Sequence, residues 1–119
     1  MDHEIHVFEQ AAHFEETGAG IQLSPNCVRV LHHLGLESAL RAVAFLPTAT
    51  QFRQWSSGKV ISENPLGDQV LNQYGHPYYH IHRGDLMQLL VSAATSRPNI
   101  QLHTSHHSIG FTQSELGVE

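Results

Sequence analysis

At 119 residues the chain has room for one domain. Its 40% apolar and 14% charged content is that of a globular protein rather than a disordered one. A net charge of −5, with six lysines and arginines in all, argues against a nucleic-acid-binding surface, and no apolar run approaches the about 18 residues of a membrane span.

The first residues, Met1-Asp2-His3-Glu4, lack the basic start and apolar stretch of a signal peptide. Cys27 is the single cysteine and has no partner within the chain. Both features fit a reducing, cytoplasmic setting. Eleven histidines make the net charge change sign on acidification.

In chain order, residues 4–9 read as a strand. Ile5, Val7 and Phe8 give a short, mostly apolar run of the kind expected of a buried parallel strand. Residues 10–23, with Glu15, Glu16 and three small residues at 18–20, read as a loop. Ser24-Pro25 is a helix start, serine as N-cap and proline at the first helical position. Cys27, Val28, Leu31 and Leu34 follow at helical spacing, and Gly35 is the expected stop. A second short helix is predicted over residues 36–43, with Leu36, Leu40 and Val43 on one face.

Residues 49–64 read as a β-hairpin turning at Ser56-Ser57-Gly58-Lys59. Residues 64–77 read as irregular, punctuated by Asn64-Pro65, Leu66-Gly67-Asp68, Gly75 and Pro77. Residues 78–82 form a short predicted strand. It runs into Arg83-Gly84-Asp85 and a helix carrying Leu86, Leu89, Leu90, Ala93 and Ala94 on one face, stopped by Arg97-Pro98-Asn99. Ile100 and Leu102 start another strand, and residues 109–112 a further one.

Several residues carry candidate chemistry. Glu9 closes a short strand, which is how a dinucleotide-binding fold presents a carboxylate to a ribose hydroxyl. Such an acid normally follows a glycine-rich phosphate loop by about 20 residues, and only eight residues precede Glu9. His80 and His82 alternate on one strand face at the spacing of two metal ligands, with His106-His107 as a further source. No Cys-x-x-Cys or His-Glu-x-x-His frame accompanies them, and no metal site is assigned. Cys27 combines an early helix position with an apolar stripe, so packing is its expected role. Tyr74, Tyr78 and Tyr79 suit either a pocket wall or strand-face packing.

Three segments resemble the FAD-dependent aromatic hydroxylases of the salicylate hydroxylase type. They are His3-Glu4-Ile5-His6-Val7-Phe8-Glu9-Gln10-Ala11, then Gly18-Ala19-Gly20-Ile21-Gln22-Leu23-Ser24-Pro25-Asn26 with its continuation to Leu36, and Tyr79-His80-Ile81-His82-Arg83-Gly84-Asp85-Leu86. Pro65-Leu66-Gly67 and residues 74–78 also fit that family's middle region.

The resemblance implies an α/β, partial Rossmann-like FAD-binding fold that lacks its first strand and glycine-rich loop. Residues 1–119 would form an incomplete FAD-binding domain, with 47–78 as an inserted hairpin-bearing segment on the substrate-domain side. Glu9 would accept bonds from the adenosine ribose hydroxyls, a charged and bidentate arrangement. Ala19 and Gly20 would leave room for the cofactor. Arg83 would reach the phosphates from a helix start, and Ser108 would hold the adenine through its backbone. The family's activity is hydroxylation of phenolic acids using FAD, NAD(P)H and O2.

The family's opening Gly-x-Gly-x-x-Gly turn and its later Asp-Gly and Gly-Asp motifs do not occur within residues 1–119. The chain therefore reads as a slice truncated at both ends, inactive alone, whose bare strand edge invites self-association. The alternative reading is a small His-rich metal-binding or interaction module without catalysis.

Overall fold

A computed structural model describes residues 3–14, 18–115, 117 and 118. Glu15 and Glu16 of the expected loop, the first two residues, and Leu116 and Glu119 at the C-terminus lie outside the described residues. The architecture is mixed α/β. In order come β1 (Ile5–Phe8), β2 (Gly20–Leu23), α1 (Pro25–His33), α2 (Glu37–Val43), β3 (Ala49–Arg53), β4 (Val60–Pro65) and α3 (Gly67–Tyr74). β5 (Tyr79–His82), α4 (Arg83–Thr95), β6 (Ile100–His103), β7 (Gln113–Ser114) and β8 (Gly117–Val118) complete it. The strands pair two by two: β1 with β6 in parallel, and β2 with β5, β3 with β4 and β7 with β8 antiparallel.

The core lies where β2 and β5 meet the helices. Leu23 of β2, Tyr79 and Ile81 of β5, Val28 and Leu31 of α1, and Leu36 and Leu40 around α2 form one buried cluster. Cys27 and, from α4, Leu86, Leu89 and Ala93 pack partly against it. Val43 of the predicted α2 face and Leu34 of the α1 stripe are exposed instead. Leu34 lines a shallow apolar cleft with Leu90, Ala93 and Ile100.

Four readings are corrected. Residues 20–23 are a strand and not loop, because Gly20 to Leu23 register against His82 to Tyr79. Residues 67–74 are a helix, not irregular: Gly67 and Gly75 delimit α3 with left-handed backbone (φ 51° and 73°), and Val70 between them is buried. Residues 109–112 form no strand and pair with no strand among the described residues, and Ile109 is 96% exposed. β1 is parallel as expected but not buried, since among the described residues β6 alone flanks it, on one side. At α1, Ser24 occupies the N-cap position, but its hydroxyl donates to Asn26 Oδ1 at 2.5 Å and makes no cap bond.

The molecule is extended. Its radius of gyration is 19.2 Å, against about 13.5 Å for a compact domain of this length. Its accessible surface is 9268 Å², against about 6,450 Å² for a compact monomer of this mass. The excess lies in the exposed β1–β6 pair and in the hairpin, where Phe52, Ile61 and Trp55 are exposed. Among the described residues no helix is long and apolar enough to cross a membrane.

Beside the core, His32 is largely buried on α1, with Nδ1 3.8 Å from Glu37 Oε2. Burial pushes its imidazole below the usual range near pH 6.5, and the attraction of Glu37 only partly opposes this. The folded state therefore binds the His32 proton less readily than the unfolded chain. Its contribution is complete above about pH 6.5 and is lost as pH falls from there through the lowered folded value. Thermal melts at pH 7.5 and 5.5 should show a smaller acid loss for His32→Gln than for the parent chain; equal losses would contradict this.

Candidate functional site

The five predicted site residues fall into two groups. The first stands at the carboxyl ends of the parallel strands β1 and β6, the end of a parallel sheet where ligands gather. Glu9 follows β1 directly. Its N–H donates to His103 O (2.8 Å), and its carbonyl accepts the His106 N–H (2.9 Å). The Ser105 N–H donates to Ala11 O (2.9 Å), and Ser105 itself is left-handed (φ 58°), a conformation that non-glycine residues adopt at a cost. These bonds stitch segment 104–108 to segment 9–11. Ser108 thus comes to line the same groove as Glu9, about 320 Å³ in volume, with Phe8, Gln10, His106 and His107. Ser108 sits on irregular backbone, as do residues 109–112 where a strand was expected.

The Glu9 carboxylate is half-buried and fixed. Oε1 accepts the Ala11 N–H at 2.7 Å, which leaves the remaining acceptor capacity for a ligand. Phe8 and His106 bring their rings to 5.8 Å at an angle of 52°. His107 Nδ1 stands 2.9 Å from Gln10 Oε1. The roles of Phe8, Gln10, His106 and His107 as groove walls were not visible in the sequence. The signal was the His106-His107 pair, whose placement opposite Glu9 depends on the turn at Ser105.

The second group gathers where β2 meets α4. The Arg83 N–H donates to Ala19 O at 2.9 Å, and Gly20 registers against His82. Arg83 is the first residue of the 13-residue α4, at its positive end. Space is open above Gly20, where an added Cβ would meet no atom within 4 Å. His82 caps α4, its Nδ1 accepting the Gly84 N–H at 3.3 Å, so that ring nitrogen is already engaged. Tyr79 is core, the Tyr78 hydroxyl donates to Gln22 Oε1 at 2.6 Å, and Tyr74 is exposed at the end of α3, so the three tyrosines share no pocket. Among the described residues no group of three or more His, Cys, Asp or Glu side chains is arranged to hold a metal ion.

A third cleft, about 380 Å³, lies apart from both groups and is lined by Arg41, Leu46, Pro47, Thr48, Gly67, Asp68, Leu71 and Pro77. Phe45 and His80 exchange backbone bonds of 2.7 and 2.8 Å beside it. Segment 47–78 therefore leaves and returns through a paired stem.

No protein-family model matches the chain. It is 51% identical over 86 residues to 3-amino-4-hydroxybenzoate 2-monooxygenase of Streptomyces cremeus, a stretch covering 72% of this chain and 22% of that protein. It is 40% identical over 89 residues to 6-hydroxynicotinate 3-monooxygenase of Pseudomonas fluorescens, covering 75% of this chain and 23% of the relative. The chain thus spans less than a quarter of the length of these two relatives. In fold it is similar to p-nitrophenol 4-monooxygenase of Pseudomonas putida DLL-E4, with a TM-score of 0.79 at 16% identity over 98% of this chain and 32% of that one. It is also similar to the flavin-dependent monooxygenase PieE, solved with FAD and substrate, with a TM-score of 0.76 at 18% identity over 95% of this chain and 21% of that one.

Proposed function

Because the chain belongs to the FAD-dependent aromatic monooxygenases, we propose that its 119 residues supply the adenosine and phosphate wall of an FAD site in an enzyme hydroxylating an aromatic acid with reduced nicotinamide and O2. One observation carries this reading: Glu9 and Ser108, 99 positions apart, line one groove at the carboxyl ends of two parallel strands. In it, Glu9 takes the ribose hydroxyls and Ser108 the adenine, while Ala19 and Gly20 give clearance and Arg83 meets the phosphates. The residues fit such a group, since the acid is held in place by the Ala11 amide and the space above Gly20 is open. FAD, when bound, supplies the redox and oxygen chemistry; the chain's own residues bind and orient it.

Residues 47–78 are proposed as an insertion on the substrate-domain side, which their stem at Phe45–His80 supports. The single cysteine suits a reducing, cytoplasmic setting.

A hybrid tests the reading. Residues 3–115 replace the corresponding segment of the Streptomyces cremeus relative. We expect the hybrid to retain stoichiometric flavin and NAD(P)H oxidation dependent on an aromatic acid. A soluble, folded hybrid without flavin would overturn the proposal. The 119-residue chain alone is expected to show no tight FAD binding and no turnover, given its share of the relatives' length; a yellow, active isolated chain would contradict this.

A second observation favours self-association. Among the described residues β1 pairs with β6 alone, which leaves its other edge bare and Ile5, Val7 and Phe8 exposed, and such edges pair with other chains. Light scattering during gel filtration should show concentration-dependent oligomers, returned toward monomer by Ile5→Lys. A monomer at every concentration would contradict it.

A further inference from the structure

The β1–β6 pair carries a row of imidazoles that the FAD reading does not use. His6 and His103 sit diagonally in the parallel register, where His6 faces Gln101 and His103 faces Phe8. His6 Nδ1 lies 2.9 Å from His103 Nε2. The two rings are within 14° of parallel, their centroids 5.2 Å apart. The other nitrogen of His6, Nε2, lies 3.4 Å from Glu4 Oε1. The same Oε1 accepts the Gln101 Nε2–H at 3.0 Å. One of the two facing ring nitrogens donates its N–H to the lone pair of the other.

We propose that His6 Nδ1 and His103 Nε2 form a chelate for a divalent transition-metal ion, with copper(II) preferred. Two nitrogens in cis positions of a square-planar or tetragonal ion, each about 2.0–2.1 Å from the metal, stand about 2.9 Å apart. The hydrogen-bonded pair already has that separation. On binding, the ion takes the place of the shared proton, which moves to the far ring nitrogen of the imidazole that donates it. Rotations of roughly 45° about the ring-bearing bonds turn the two lone pairs from each other onto the ion. Glu4 becomes the carboxylate behind a metal-ligating histidine, fixing its tautomer and ring orientation.

Water fills the remaining positions, since the described residues supply no convergent group of three ligands. Nitrogen ligands favour copper(II) over nickel(II) and zinc(II). The site is open, with the His6 side chain 40% exposed. It is separate from the His80–His82 spacing, where the His82 ring already caps α4. Imidazoles must be neutral to ligate, so the affinity falls on acidification.

The test is a copper(II) chloride titration of the full 119-residue chain carrying His3→Gln, which removes the separate copper(II) site that the N-terminal amine and His3 would form, by calorimetry, with electron paramagnetic resonance of the one-to-one sample. The expected spectrum carries coupling to two imidazole nitrogens. His6→Gln and His103→Gln should each weaken the strongest site by about tenfold or more, and Glu4→Gln, which only positions His6, by about tenfold. His80→Gln/His82→Gln should leave it within about twofold, and zinc(II) should bind more weakly than copper(II). Three results would overturn the proposal. They are unchanged affinity in His6→Gln or His103→Gln, loss of the site in His80→Gln/His82→Gln, and a parent spectrum with fewer than two coordinated imidazoles. The last of these requires no substitution within the β1–β6 pair.

Discussion

Leu40→Ala is expected to destabilise the chain by about 2–5 kcal/mol, the usual cost of removing a buried leucine side chain and leaving a cavity. Leu40 is fully buried, one of seven residues in the buried cluster that ties α1 and α2 to β2 and β5. A domain of this length has about 6–18 kcal/mol of stability in all. An extended molecule with so much surface uncovered belongs at the low end, so one truncation removes a large share. Urea denaturation followed by far-UV circular dichroism measures it. Val30→Ala is the control, on the same group of helices but exposed, and should stay within about 0.5 kcal/mol. If the two variants melt alike, the cluster is not the core.

The second large effect concerns the cofactor. In the hybrid described above, Glu9→Ala is expected to weaken FAD binding by about 10–150-fold, the equivalent of about 1.5–3 kcal/mol for hydrogen bonds to a charged group. Arg83→Ala should weaken it comparably, and its effect should shrink as salt is raised, because a guanidinium on phosphates acts through charge. Ser108→Ala should do little, since the proposed contact is through backbone. Flavin fluorescence during titration reads all three. FAD affinity within about twofold of the parent in Glu9→Ala would remove the ribose role from that residue. A large loss in Ser108→Ala would replace the backbone contact with a side-chain one.

Local structure was legible wherever the chain carries its own punctuation. Ser24-Pro25 and Gly35 bracket α1, Arg97-Pro98-Asn99 closes α4, and Ser56 to Lys59 turn the hairpin, all as their residue types require. Punctuation also misled. Gly67 and Gly75 read as breakers of residues 64–77, yet their left-handed backbone marks the two ends of a helix. A glycine ends an element as readily as it interrupts one, and only the burial of Val70 decides which. β2 was missed because its four residues hold two apolar side chains and a glycine, too little pattern without β5 beside them. Residues 109–112 have strand-forming side chains but pair with no strand among the described residues.

The sequence by itself determined the starts and stops of α1, α2 and α4, the hairpin, the acid at the end of β1 and the arginine at the start of α4, because caps, turns and strand ends depend on residues within a few positions. The tertiary structure alone decided that β1 pairs with β6, 92 residues on from its own last residue to β6's first, and that Ser105 turns His106, His107 and Ser108 toward Glu9. It also decided that His6, rather than His80 or His82, finds a second imidazole at 2.9 Å. Those placements come from ladder register and crossing backbone bonds between distant segments, and neither leaves a periodic trace in the chain.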